Sequence, residues 1–332
     1  MDPILFISTK VLFLGFQAMI PLALCAMGEV LAERAGVVNI GLEGILLISA
    51  FTATVGAYFF ENAWLGILVG VFTGFLIGLL HGWISIYLKG DQIISGVGIN
   101  LLALGFVAFG IIVVWGTHGQ FSLRPEFTLK AQDFFSGWNI ILPSNAPGTP
   151  PQFLGKISIL LPFTFMMAGV IWWILHKTTF GLRVKAVGEN PEAADVAGIR
   201  VERIQMISVL VGAALGGLAG AYLSVDWNGL ITRDISSGRG FISLATVVFS
   251  KLNPLLTLVG AFVFGLFDNV GLWLSTFSNF PVNIFGWEVE IQISNYFYFI
   301  RMLPYVVTLF VVAGVIGKAR FPKALGVPYR RE

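Results

Sequence analysis

The sequence predicts an all-α protein, a polytopic bundle of membrane helices with about eight or nine spans that include one short or re-entrant segment. Hydrophobic residues make up 56% of the 332 residues and charged residues only 11%, whereas soluble domains carry about 25% charged residues. The mean hydropathy is +0.85. The apolar residues fall in long runs, each close to the roughly 20 residues that a helix needs to cross a bilayer.

The apolar runs predict the spans in order along the chain. We expect full spans at 4–32, 36–60, 64–88, 92–116, 156–176, 204–224, 254–278 and 297–317. The apolar piece 240–250 is about half as long, which favours a half-span or re-entrant helix. Residues 1–332 are therefore expected to form a single transmembrane domain.

Glycines recur every four residues in two of these spans. They are Gly66, Gly70, Gly74, Gly78 and Gly82 in one span and Gly212, Gly216 and Gly220 in the other. Small residues at this spacing let helix backbones approach closely in lipid, where hydrophobic collapse cannot drive helices together. The pattern predicts tight helix packing and says nothing about a substrate.

Polar segments between the spans predict the topology. The tail 318–332 holds five basic residues and one acidic residue, and the positive-inside rule places such a tail in the cytoplasm. Counting crossings back from the tail places the polar loop 177–203 in the cytoplasm as well. The other long polar connection, 117–155, is then expected outside as an external cap.

The loop 177–203 contains the features of a short capped helix. Asn190 is a good N-cap, Pro191 suits the first helical position and Gly198 is a natural stop. A plain connecting loop does not need this construction, whereas a docking surface for a cytoplasmic partner does. The candidate docking residues are Gly188, Glu189, Asn190, Pro191, Glu192, Ala193, Ala194 and Gly198.

Several polar side chains fall inside the predicted spans, among them Glu29, Glu43 and Asn100. Charged residues at membrane depth are costly and usually face a cavity or a partner. The segment 33–44, ERAGVVNIGLEG, also predicts irregular backbone, which is tolerated at depth only where protein or water covers it. Glu43 either lines a substrate path, caps a helix or pairs internally, and Asn100 either lines that path or ties helices together.

The sequence offers no catalytic or cofactor site. No nucleophile and base can be paired, the single cysteine Cys25 cannot form an intramolecular disulfide, and the three histidines lack ligand spacing. A phosphate-binding loop GxxxxGK[ST] is missing, so any ATP and Mg²⁺ must be bound by another chain. We therefore expect a protein that is not an enzyme, with no metal site, and the net charge of +2 does not indicate nucleic acid binding.

Five stretches together resemble a known family. They are ERAGVVNIGLEG at 33–44, DQIISGVGINLLALG at 91–105, FGLRVKAVGENPEAADVAGI at 180–199, GRGFISLATVVFSKLNPL at 238–255 and LPYVVTLFVVAGVIGKARFPKALGVPY at 303–329. The chain resembles the permeases of ABC importers of the ribose and branched-chain amino acid class, especially the smaller permease of nucleoside or simple-sugar uptake systems. The resemblance covers nearly the whole chain, except that 117–155 and 280–296 match poorly.

The resemblance implies a function and a set of partners. It implies import of nucleosides or simple sugars through the cell membrane of a bacterium or archaeon, by alternating access that ATP hydrolysis drives. The helix after Gly188 would be the coupling helix that seats in a cytoplasmic ABC ATPase. A second related permease, an external substrate-binding lipoprotein and membrane lipid would complete the assembly. A neutral nucleoside needs aromatic and hydrogen-bonding groups along its path, for which the candidates are Asn39, Glu43, Asn100 and Phe241.

Two other functions remain open from the sequence. The intramembrane carboxylates Glu29 and Glu43 would suit a proton or sodium relay in a secondary transporter driven by an ion gradient. The same ABC scaffold would also suit a permease for branched-chain amino acids. The capped helix near Asn190 favours the ABC hypothesis, because an ion-driven carrier does not require it.

Overall fold

A computed structural model describes residues 3–129, 139–142, 152–156, 158–274, 279–284, 287–292, 302, 306, 309–310 and 321–330 of the protein. The predicted span 297–317 lies outside the described residues apart from isolated positions. The cap 117–155 and the tail 318–332 are described in part.

Helices make up most of the described chain, as predicted. They are α1 Pro3–Arg34, α2 Leu42–Phe60, α3 Ala63–Gly82, α4 Gln92–Trp115, α5 Leu160–Lys177, α6 Thr179–Glu189, α7 Pro191–Val196, α8 Val201–Ala221, α9 Arg239–Phe249 and α10 Pro254–Leu274. Helix α3 continues as a π-helical turn, Trp83–Tyr87, and α8 as another, Tyr222–Asn228. A 3₁₀ turn covers Pro125–Phe127.

The strands in the described part of the chain form three short antiparallel ribbons. β1 Gln120–Ser122 pairs with β4 Leu230–Thr232, so that Phe121 lies opposite Ile231. β2 Asn139–Leu142 pairs with β3 Gln152–Lys156, and β5 Asn279–Ile284 with β6 Trp287–Gln292. The β1–β4 ribbon joins segments more than a hundred residues apart in the chain.

Six described helices are long and apolar enough to cross a membrane, which makes this a multi-pass membrane protein. Their positions agree with the predicted spans, with one exception. The span predicted at 36–60 begins at Leu42, because the backbone of 35–41 is not helical and Gly36 has a φ of +90°. Helix α9 has 11 residues, about 16 Å of helix, which is half of a bilayer core.

Helix α1 forms the centre of the bundle. Its middle residues, including Leu22 and Met27, are fully buried, and it packs against α8, α9 and α10. A helix that is hydrophobic all round belongs in such an enclosed position. The outer helices α3 and α4 instead expose apolar side chains, such as Phe72 and Phe109.

The predicted glycine packing is confirmed. A Cβ placed on Gly74 of α3 would overlap the Ala213 carbonyl oxygen and lie 2.6 Å from the Gly217 Cα on α8. A Cβ on Gly28 of α1 would lie 2.9 Å from the Gly212 Cα. The glycines of α8 therefore allow close contact with both α1 and α3. Any larger residue at these crossings must push two backbones apart.

The two ends of the bundle are defined by α4. Its 24 residues extend over about 36 Å. Next to its start, the Lys89 ammonium lies 2.7 Å from the Glu202 carboxylate at the start of α8. Shortly after its last residue, strand β1 pairs with β4. We call these the Lys89 end and the β1 end.

Candidate functional site

Helix α7 has the cap and the stop that the sequence predicts. The Asn190 side-chain oxygen accepts a hydrogen bond from the Ala193 backbone N–H at 3.0 Å. After the last turn, Gly198 adopts a φ of +82°, and the Ile199 N–H donates to the Ala194 carbonyl at 3.0 Å. A left-handed glycine at this position satisfies carbonyls that the helix leaves free.

The eight residues predicted for docking divide into an inner and an outer set. Gly188 and Ala194 are buried against the bundle, Pro191 is half-buried, and Glu189, Asn190, Glu192, Ala193 and Gly198 are exposed. Beside them, Val196 is 92% exposed. The exposed residues are the part of this loop that a partner can reach.

Gly188 anchors this loop to the end of α1. A Cβ there would overlap the Arg34 carbonyl oxygen, so that only glycine permits this approach. The Arg34 guanidinium in turn donates to the Leu252 carbonyl at 3.1 Å, where α9 leads into α10. On α6, partial burial and the nearby Arg34 charge lower the pKa of Lys185. The loop is therefore connected to α1 and to the end of α9.

A cavity of about 250 Å³ lies between α2, α4 and α9 and contains three of the four predicted path residues. Asn100 lies eight residues along α4 from Gln92, about 12 Å into the bundle from the Lys89 end. The lining residues are Glu43, Gly44, Leu47, Val97, Asn100, Leu101, Leu104 and Phe241. The structure thus brings together side chains from segments that are far apart in the sequence.

Asn100 holds the start of α2 against α4. Its side-chain oxygen accepts from the Gly44 N–H at 2.8 Å, and its amide nitrogen donates to the Ile40 carbonyl at 3.0 Å. Both amide atoms are used in these bonds. Asn100 is therefore a helix tie as well as part of the cavity wall.

Glu43 caps the start of α9. One carboxylate oxygen accepts from the Gly238 N–H at 2.8 Å, and the other accepts from the Gly240 N–H at 2.7 Å. The first N–H groups of a helix have no partner within it, and its positive dipole end favours a carboxylate. Gly240 is required because a Cβ there would overlap the Glu43 backbone.

Asn39 does not line the cavity. It is buried, its N–H donates to the Glu29 carboxylate at 2.7 Å, and its side chain accepts from the Gly41 N–H at 3.0 Å. It stabilises the irregular backbone between α1 and α2. Asn39 and Glu43 do not share a helix face, because α2 begins only at Leu42.

Sequence reasoning did not identify two further supports of this region. The buried His81 ring lies 3.0 Å from the Ser95 hydroxyl, and its Nε2 donates to the Val38 carbonyl at 3.1 Å. Gln92 accepts from the Val38 N–H at 2.8 Å. The only available signal was their polarity inside apolar spans, since both contacts with Val38 join residues more than 40 positions apart.

The chemistry of the cavity suits a neutral solute. Its wall is mainly apolar, with one aromatic ring, one amide and one carboxylate already bonded to the α9 N-terminus. Within the residues that the structure describes, no three His, Cys, Asp or Glu side chains come together as metal ligands would.

Comparison with known proteins decides the family. Residues 11–316 match the family described as branched-chain amino acid transport system / permease component. The chain belongs to this permease family. The matched range includes both the cavity and helix α7, so the two candidate sites are parts of one permease.

Similar proteins include nucleoside permeases. The permease is 35% identical, over 93% of both chains, to the nucleoside ABC transporter permease protein NupC of Lactococcus lactis subsp. cremoris (strain MG1363). It is 36% identical to the guanosine ABC transporter permease protein NupQ of Bacillus subtilis (strain 168), over 93% of this chain and 92% of NupQ. A second Lactococcus protein, the nucleoside ABC transporter permease protein NupB, is 26% identical over 75% of this chain and 69% of its own.

Proposed function

We propose that this permease is a subunit of an ABC importer that moves nucleosides into the cell. The similarity to NupC over 93% of both chains carries this proposal. The cavity supports it through the Phe241 ring in its wall, on which a flat base can stack. Import of simple sugars or of branched-chain amino acids is the alternative.

The cavity beside Phe241 is the proposed substrate path. Phe241 is 47% exposed and offers a ring face, whereas the polar atoms of Asn100 and Glu43 are already bonded to backbone groups. Glu43 also fixes the first turn of α9, a helix too short to cross the membrane alone. Transporters place solutes at such interrupted helices because irregular backbone is tolerated where it lines a cavity. Asn39 acts here as support behind the path.

The proposed assembly contains other chains. A cytoplasmic ABC ATPase would bind ATP and Mg²⁺ and would contact the exposed residues of α7. A second, related permease would pair with this one, which is consistent with NupB and NupC occurring in one Lactococcus strain. An external lipoprotein would deliver the substrate, and the complex would lie in the cell membrane of a bacterium or archaeon.

We propose that the Lys89 end faces the cytoplasm. The basic tail residues 321–330, the Lys89 turn and the loop 177–203 all meet there, since Tyr329 contacts Asp195 on α7 and Lys89 pairs with Glu202. The β1 end, which holds the described part of 117–155, would then face outside. This arrangement follows the positive-inside rule.

Uptake into proteoliposomes tests the proposal. The permease would be reconstituted with its ATPase, second permease and lipoprotein, and given labelled guanosine, uridine, ribose, glucose or leucine. We expect ATP-dependent, vanadate-sensitive uptake of the nucleosides, which ionophores do not change. Preferential uptake of leucine or of a sugar would reject the nucleoside assignment, and uptake abolished by an ionophore would favour an ion-driven carrier.

A further inference from the structure

The C-terminal tail segment, residues 321–330, bonds to three separate parts of the Lys89 end. The Ala324 N–H donates to the Gly188 carbonyl at 3.0 Å, at the end of α6. The Gly326 N–H donates to the Gly36 carbonyl at 3.1 Å, in the irregular segment after α1. The Tyr329 hydroxyl donates to the Asp195 carboxylate on α7 at 3.0 Å.

The tail segment has a defined conformation of its own. The Leu325 N–H donates to the Pro322 carbonyl at 3.2 Å, and the Val327 N–H donates to the Ala324 carbonyl at the same distance. Gly326 takes a φ of +77°, which permits the turn. Phe321 and Tyr329, at either end, pack against the buried core. The segment is therefore an ordered structural element that packs on the bundle.

Tyr329 connects α7 to the start of α4. Its hydroxyl bonds to Asp195, while the Lys89 ammonium lies 5.9 Å from the centre of its ring. A cation at this distance over an aromatic face is attracted to it. The same ammonium pairs with Glu202 at 2.7 Å. Tyr329 therefore contacts both the short helix α7 and Lys89, whose ion pair connects the start of α4 to the start of α8.

Helix α7 needs such external support. It has six residues, and Ala194 is its one buried residue among those described. A helix this short is not stable by itself. Its orientation must therefore come from the few contacts that it makes with the rest of the chain, of which the Tyr329 bond is one.

We propose that the tail segment is a strap that positions α7, with Tyr329 as the positioning residue. The inference rests on the proposed function, in which α7 receives the movement of the ATPase. The strap transmits that movement to the end of α1 through Gly36 and to the start of α4 through Lys89. Without the Tyr329 bond, α7 shifts relative to the bundle. Less of the movement that each ATP cycle produces then reaches the substrate path.

Two measurements on Tyr329→Phe test the strap, because this variant removes one hydroxyl and keeps the ring. In the full complex, solute moved per ATP hydrolysed should fall about two- to tenfold, the range given by losing one hydrogen bond. A nitroxide label at an introduced Val196→Cys should become more mobile in the permease in detergent, before the ATPase is added and covers α7. Asp195→Ala should lower the transport ratio and raise the label mobility by similar amounts. The double variant should show changes no larger than those of either single variant. Tyr87→Phe, in the same polar cleft as Tyr329, should match the wild type.

The label separates failure of the strap from failure of the proposed function. Unchanged label mobility and an unchanged transport ratio in Tyr329→Phe would overturn the strap, as would losses that add in the double variant. A wild-type complex that moves no nucleoside would reject the proposed function. In that case, increased mobility at position 196 in Tyr329→Phe would still support the strap.

Discussion

The Arg239 guanidinium on α9 donates to the Asp268 carboxylate on α10, with 2.7 Å between Nη2 and Oδ2. The two side chains are only 9% and 18% exposed. The guanidinium also lies 5.1 Å from the centre of the Trp227 ring. This pair connects the half-length helix beside the cavity to a full-length neighbour, and its burial makes either charge costly without the other.

Arg239→Gln or Asp268→Asn should destabilise the permease by about 3–5 kcal/mol, because each leaves an uncompensated buried charge. The measurement is the thermal unfolding midpoint in detergent. Glu202→Gln is the control: it breaks the more exposed pair with Lys89, whose side chains are 21% and 42% exposed, and should cost about 0–1 kcal/mol. An equal, small loss in all three variants would show that burial does not strengthen the Arg239 pair.

Gly74→Ala should lower the same unfolding midpoint, because its Cβ meets backbone atoms of α8 that cannot move independently. Overpacking of this kind costs about 1–3 kcal/mol. Gly98→Ala on α4 is the matched control, since a Cβ at Gly98 meets nothing within 4 Å. The packing interpretation fails if the two variants unfold at the same temperature.

Glu43→Gln should slow uptake about fivefold to thirtyfold. The amide keeps one acceptor oxygen, so α9 loses one of its two cap bonds and the negative charge at its N-terminus, each worth about 1 kcal/mol. The measurement is the initial uptake rate at equal amounts of assembled complex. Glu61→Gln changes an exposed residue just past the far end of α2 and should transport normally. A wild-type rate for Glu43→Gln would mean that the position of α9 does not depend on this carboxylate.

Phe241→Ala should raise the KM for nucleoside uptake about tenfold, since stacking of a base on an aromatic ring is worth about 1–3 kcal/mol. The variant should unfold at nearly the wild-type temperature, because Phe241 is 47% exposed. Phe72→Ala, on the exposed face of α3, controls for loss of an aromatic ring elsewhere. Equal KM values for the two variants would place the base away from Phe241.

Asn190→Ala should weaken binding of the ATPase, because α7 loses its cap bond and about 1 kcal/mol of helix stability. Asn190→Asp keeps an oxygen that accepts from the Ala193 N–H and should bind as the wild type does. Co-purification of the ATPase in rising salt gives the comparison. If both variants retain the ATPase equally, the cap of α7 does not contribute to docking.

Local features of this protein were predictable from the sequence alone. The spans follow from runs of apolar residues, and the α7 cap follows from Asn190 and Gly198, which act within a few positions of themselves. The glycine ridges likewise follow from a spacing of four residues. Each of these depends on neighbours within one or two helical turns, so composition and periodicity suffice to predict it.

Tertiary structure decided which polar residues meet. Asn39 and Asn100 look alike as amides in apolar segments, yet only Asn100 reaches the cavity, because the chain leaves the helix between Arg34 and Leu42. Glu43 bonds to Gly238 and Gly240, which lie nearly 200 positions away in the sequence. Asp195 bonds to Tyr329, which lies 134 positions away. Periodicity shows which face of a helix a residue occupies, but the segment that covers that face is determined only when the whole chain packs.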